Sequence, residues 1–119
     1  MIVGLGIDLV EIARIDEAMR NPRFVFRVLT DAERSMCQTS ACVAGRWAAK
    51  EAIAKAIGLA LSWQEVEVLP DELGAPKVTI TNPSFDPGRL RIHVSITHDR
   101  EHAAAVAVLE RITMQLPYV

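Results

Sequence analysis

At 119 residues with a formal net charge of −2, the chain is sized for one domain, 1–119, that buries about two-thirds of its unfolded surface. Half of the residues are hydrophobic but only 5% are aromatic, so the core must be aliphatic and rich in alanine. The slight acidity argues against a nucleic-acid binder. No stretch reaches the ~18 apolar residues of a membrane span, and the apolar start, broken by Asp8, lacks the basic flank of a signal peptide; a cytoplasmic protein is expected.

Residues 2–10 predict a strand, with Val3, Leu5, Ile7 and Leu9 alternating against Ile2, Gly4, Gly6, Asp8 and Val10. The two glycines leave a shallow channel that leads to Asp8. They do not make a dinucleotide fingerprint, because the third glycine would fall at Leu9. Asp8 either turns the chain at a strand end or acts as a metal or acid–base carboxylate, and the nearby Glu11 favours the second. A helix follows from about Glu11, with Ile12, Ile15 and Met19 inward and Arg14, Glu17 and Arg20 outward, until Asn21-Pro22 stops it. Thr30-Asp31-Ala32-Glu33 is a capping box that opens another helix near residue 31. Cys37 and Cys42, five apart with no nearby histidine, read as two free thiols. Arg14, Arg20, Arg23, Arg27 and Arg34 crowd this early segment, while Glu65, Glu67, Asp71 and Glu72 crowd the middle. Such an arginine patch is either a solvated helix surface or a dock for a specific acidic partner.

Thr39-Ser40 offers an N-cap for the central helix, whose stretch from Gly45 to Gly58 organises the rest. On a wheel of about 100° per residue, Ala48, Ala49, Ala52, Ile53 and Ala56 share one arc and Arg46, Lys50, Glu51 and Lys55 the other. Gly58 stands where a left-handed residue closes a helix. Arg46 and Lys50, like charges at i,i+4, cost a few tenths of a kcal/mol. Either an anion is shared between them, or the arc is a solvated face with one Glu51–Lys55 ion pair; composition alone favours the latter. After Gly58 the period becomes two: 65–68 and 77–80 predict a hairpin across Pro70–Pro76, residues 90–97 a further strand, and Ala103–Leu109 a central strand. His98 sits at a strand end after Ser95 and Thr97, either as a surface residue or as an anion contact, and the neighbouring hydroxyls favour the contact. Two carboxylates (Asp8, Glu51), cations (Arg46, Lys50, Lys55) and His98 together describe a Mg²⁺–phosphate site and phosphoryl-group chemistry.

These residues also carry a resemblance. Gly6-Ile7-Asp8-Leu9-Val10-Glu11-Ile12 with Arg14-Ile15, Arg27-Val28-Leu29-Thr30 with Glu33, Gly45-Arg46-Trp47-Ala48-Ala49-Lys50-Glu51-Ala52 with Lys55-Ala56, Gly74-x-Pro76, and Val94-Ser95-Ile96-Thr97-His98 stand in this order over almost the whole chain. The pattern resembles the bacterial holo-acyl-carrier-protein synthases, the small type of 4′-phosphopantetheinyl transferase. The resemblance implies transfer of phosphopantetheine from coenzyme A to a serine of an acyl carrier protein, releasing adenosine 3′,5′-bisphosphate. It implies Mg²⁺ on Asp8 and Glu51, Lys55 near the phosphates, and Arg46, Pro76 and His98 around the adenine nucleotide. It also implies a docking surface for the acidic carrier protein on the first helix at Arg14, which with Arg20 and Arg27 makes the expected dock. Small members form trimers with sites between subunits. Ala60 departs from the pattern where the family commonly has a second glycine.

The expected fold is α+β: an N-terminal strand, three helices, then antiparallel hairpins forming a sheet packed on the long central helix. That helix's alanine face and the apolar strands around Val94 and Val106 offer more apolar surface than three short helices cover, so self-association is expected. The rival reading, from another class, is a non-catalytic nucleotide-binding scaffold.

Overall fold

Helix α4 (Ser40–Ile57) lies across a three-stranded antiparallel sheet of β1 (Ile2–Glu11), β5 (His102–Arg111) and β4 (Leu90–His98), with β5 in the middle. The computed structural model describes residues 1–113. Between β1 and α4 run three short helices: α1 (Ile12–Ala18), α2 (Pro22–Val28) and α3 (Asp31–Met36). After α4 a 3₁₀ turn at Trp63–Glu65 leads into β2 (Val66–Pro70), which pairs with β3 (Pro76–Ile80) as a separate two-stranded hairpin. The α+β expectation holds, with four helices in place of three. Asn21-Pro22 does end the first helix, but it also starts the next. The Asn21 side chain accepts from the Arg23 amide at 3.1 Å and Pro22 takes the first helical position, where a missing N–H costs nothing.

The Thr30 capping box forms as predicted: its amide donates to Glu33 Oε1 at 2.8 Å and its hydroxyl accepts from the Glu33 amide at 3.3 Å. Thr39 caps α4 by accepting from the Cys42 amide, and Gly58 closes it at φ 74°. The predicted alanine arc is the buried one, since Ala48, Ala49, Ala52 and Ile53 are all fully inaccessible. Facing it, β5 presents Ala103, Ala105, Ala107 and Leu109.

Small side chains on both layers bring backbone close to backbone, and here the glycine channel is corrected. A methyl group on Gly4 would run into the Ala56 carbonyl, and one on Gly6 into the Ala52 carbonyl. The groove is therefore filled by α4 along its length. The opposite, bulky face of β1 is the one left open: Leu5, Ile7 and Leu9 are each more than 60% exposed, beside a partly exposed Val106.

Cys37 and Cys42 are joined as a disulfide, contrary to the free-thiol expectation. The chain reverses between the end of α3 and the first turn of α4, bringing the two Cα atoms to 5.5 Å, a separation a disulfide spans. No helix among the described residues is long and apolar enough to cross a membrane.

Candidate active site

The position of Asp8 follows from the glycine seam. Gly4 lies against Ala56 and Gly6 against Ala52; two strand residues advance about 6.7 Å and four helical residues about 6 Å, so Asp8 falls level with Ala48. Its side chain is only 17% exposed. Lys55, one turn beyond Glu51, reaches back along the helix to meet it, as helical side chains lean toward the N-terminus. The Lys55 ammonium donates to Asp8 Oδ1 at 3.2 Å and to the Ile7 carbonyl at 2.9 Å. The expected Glu51–Lys55 pair is thus replaced by Asp8–Lys55. Glu51, half-buried on the same flank, has no hydrogen-bond or ion-pair partner among the described residues. β1 and α4 therefore bring Asp8 and Lys55 together, while Glu51, one turn before Lys55 on α4, borders a small hollow with Leu61, Ser62 and Trp63.

Lys50 is not part of that face. It is buried at 3% exposure rather than solvated, and the anion it shares with Arg46 belongs to the protein. Its ammonium donates to Glu33 Oε1 at 2.6 Å, the Val28 carbonyl at 2.8 Å and the Trp63 carbonyl at 3.0 Å. Glu33, wholly buried, also accepts from the Val68 amide at 2.8 Å through Oε2. Burial lowers the Lys50 ammonium from its ordinary value, and its hydrogen bond and charge contact with Glu33 partly offset this. Desolvation likewise lowers the Arg46 guanidinium, again offset by Glu33. Arg46 leans on the hairpin, its Nε donating to the Val68 carbonyl at 3.3 Å.

The remaining predicted residues lie elsewhere in the chain. Pro76 opens β3 opposite Pro70, outside the sheet that carries Asp8. His98 ends β4 exposed, in register with Ala103 and Val10, whereas Asp8 aligns with Ala105 and Ile96. Two strand spacings and one same-face step put the two Cα positions about 12 Å apart. Asp99 orders the turn after His98: its Oδ1 accepts from the Glu101 amide at 2.8 Å and the His102 amide at 2.6 Å, which holds its carboxyl below the ordinary value.

Arg14, Arg20, Arg23 and Arg27 line an open cleft of ≈ 930 Å³ between α1 and α2, floored by Phe24 and Trp47. Arg34, the fifth early arginine, turns away: it donates to the Leu29 carbonyl and covers the Phe26 ring at 4.3 Å. Trp47 stacks on Trp63 at 4.5 Å.

The geometry is matched by kinship. Residues 4–107 fit the family described as the 4′-phosphopantetheinyl transferase superfamily. This chain belongs to that family. It is 46% identical over 120 residues to a holo-[acyl-carrier-protein] synthase of Exiguobacterium, covering 92% of this chain and 93% of the relative. The solved structure of a Bacillus anthracis holo-(acyl-carrier-protein) synthase in complex with CoA (3′,5′-ADP) superposes with a TM-score of 0.81 at 35% identity, covering 95% of this chain and 99% of that one. The Helicobacter pylori synthase in complex with coenzyme A gives 0.81 at 31% identity over 89% and 99% of the two chains. This transferase family also shares the fold described above. The sequence reading missed Glu33 as more than a cap, set its partner Lys50 among the phosphate cations, and missed Gln64, whose side chain donates to the Phe26, Arg27 and Leu29 carbonyls at 2.8–3.1 Å. The capping-box spacing was the available signal, but it does not reveal that the carboxylate serves three donors, from Thr30, Lys50 and Val68.

Proposed function

We propose that this chain transfers the 4′-phosphopantetheine group of coenzyme A to a serine of apo acyl carrier protein, using Mg²⁺ and releasing adenosine 3′,5′-bisphosphate. The observation that carries the reading is the Asp8–Lys55 pair at the seam between β1 and α4, with Glu51 one turn before Lys55 on α4, in a family with solved members in complex with coenzyme A.

Asp8 and Glu51 would hold Mg²⁺. Both offer hard oxygen donors, Glu51 has no protein partner among the described residues, and no third His, Cys, Asp or Glu gathers with them there. That donor set suits an ion that keeps water and phosphate oxygens as its other ligands. When bound, Mg²⁺ supplies charge neutralisation at the pyrophosphate. The chain's own groups do the rest. Lys55 spends two of its three donors on Ile7 and Asp8 and keeps one for a phosphate oxygen, with its side chain 54% exposed. Glu51 takes the serine proton as Oγ attacks the β-phosphorus. The Oγ–P bond forms, the bond from that phosphorus to the bridging oxygen breaks, and the bisphosphate leaves with the electron pair.

Arg46, Pro76 and His98 then serve the adenine nucleotide, and their separation from Asp8 within one chain supports sites shared between neighbouring subunits. The open apolar face of Leu5, Ile7, Leu9 and Val106 is what a further copy would cover in a trimer. The arginine cleft fits the acidic carrier protein, with Arg14, Arg20 and Arg27 as its docking charges. The test is the mass of apo acyl carrier protein incubated with this chain, coenzyme A and Mg²⁺. A gain of the phosphopantetheine mass is expected, and its loss by at least a hundredfold in folded Asp8→Asn or Glu51→Gln. No mass gain, or full activity in either variant, would overturn the reading.

A further inference from the structure

We propose that Lys50, clamped by Glu33, is a positioning residue that sets the carrier-docking helices at a fixed distance and angle from Glu51; the inference rests on the function proposed above. An ammonium has three donors, and Lys50 uses all three on Val28, Glu33 and Trp63, at 2.6–3.0 Å. Its Nζ therefore has one position. The acceptors come from the last residue of α2, from α3 and from the 3₁₀ turn, three elements that converge on this atom. Glu33 adds a fourth element by accepting from the Val68 amide at the start of the hairpin. Gln64 repeats the clamp from outside, binding the carbonyls at the end of α2.

Stability alone does not account for this arrangement. A buried ion pair commonly adds little over well-packed apolar side chains of the same volume. What the pair supplies is a single geometry. Lys50 precedes Glu51 in α4, so any rotation of the helix moves both. With side chains reaching about 6 Å from a helix axis, a 10° turn displaces the carboxylate by about 1 Å, and misplacements of that size cost on the order of 100-fold in rate. The other end of the clamp is the docking cleft. Trp47, on the cleft floor, stacks at 4.5 Å on Trp63, whose carbonyl Lys50 holds. One ammonium thus joins the surface that receives the carrier protein to the helix that carries Glu51.

The experiment compares the full chain with Lys50→Met in the transfer assay, below the melting temperature of both, beside calorimetric titrations with coenzyme A and with apo acyl carrier protein. The expected result is kcat lowered tenfold or more, with KM and both dissociation constants within twofold of the parent. Unchanged kcat in folded Lys50→Met would make the pair a stability device only, and a raised carrier KM at unchanged kcat would make it part of docking; either overturns the proposal. Should Lys50→Met not fold, Gln64→Leu removes the outer clamp, and a threefold or greater loss of kcat at constant KM is expected; its absence overturns the proposal equally. A parent chain that transfers nothing would instead refute the function on which the inference rests.

Discussion

Of the glycines among the described residues, Gly6 leaves the least room for an added methyl group, so Gly6→Ala is a severe test of the fold. The added carbon would overlap the Ala52 carbonyl and lie 2.8 Å from the Ala52 carbonyl carbon and 2.9 Å from the Ala56 amide nitrogen. All three are backbone atoms in the C-terminal half of α4, so no side chain can swing aside. Relief requires β1 and α4 to part by about 1 Å, loosening a seam in which Ala52, Ala56, Ala105 and Ala107 are buried against one another. Overpacking typically costs 1–3 kcal/mol, and the rigid neighbours place this case at about 3. For a chain of this size that lowers the melting temperature by roughly 10 °C. Because Asp8 follows two residues later on the same strand face, the displacement also shifts it against Glu51. Transfer measured well below the melting point is expected to fall by tenfold or more. Gly74→Ala, at φ 86° in open space, is the control; its left-handed backbone costs about 1 kcal/mol without touching the seam. Calorimetry beside the transfer assay decides. A Gly6→Ala protein that melts within 2 °C of the parent and keeps full activity would refute the close-approach argument.

Three further outcomes are expected. Arg14→Glu, reversing an exposed charge in the docking cleft, should raise KM for the carrier protein several-fold more than for coenzyme A, with carrier KM in the parent rising with salt; salt-independent values shared by both proteins would return the arginines to a solvated surface. Ile7→Glu, on the open apolar face of β1, should shift the proposed trimer toward monomer by light scattering and lower transfer in step; an unchanged mass would contradict the proposed assembly. The Asp99 carboxylate is held down by the amides of Glu101 and His102, so its contribution to the turn after His98 is complete above the ordinary value of 3.8 and is lost as pH falls through the lower folded value. A carboxyl-carbon NMR titration with its midpoint at or above 3.8 would contradict this.

The helix and strand periods were legible because each element is amphipathic: alternation marked β1, β2, β3 and β4, and the alanine arc marked the buried side of α4. Caps were legible at Thr30, Thr39 and Gly58 for the same local reason. Tertiary choices were not. Nothing in the alternation of β1 says which of its faces meets α4. The helix took the glycine side because glycine and alanine let two backbones touch. Lys50 read as surface because it shares an arc with Arg46, and only the distant Glu33, Val28 and Trp63 make its burial possible. Asp8 and Lys55 were both singled out by their chemistry, whereas the pairing of Lys55 with Asp8 in place of Glu51 depends on how the strand lies across the helix.

The pairing of β1 with β5 sets the timing of folding. Residues aligned across these two strands are 91 to 108 positions apart, from Glu11 with His102 to Ile2 with Glu110, and the Met1 amino group bonds the Arg111 carbonyl. During synthesis the first strand therefore leaves the ribosome with both hydrogen-bonding edges vacant and an apolar side uncovered. At 5–20 residues per second it waits roughly 5–20 s for its partner strand. Helices α1 to α4 need only local closure and can form in that interval, but the sheet cannot nucleate before β5 is available. Slow closure is the expected course, with the nascent strand the segment for a chaperone to shield.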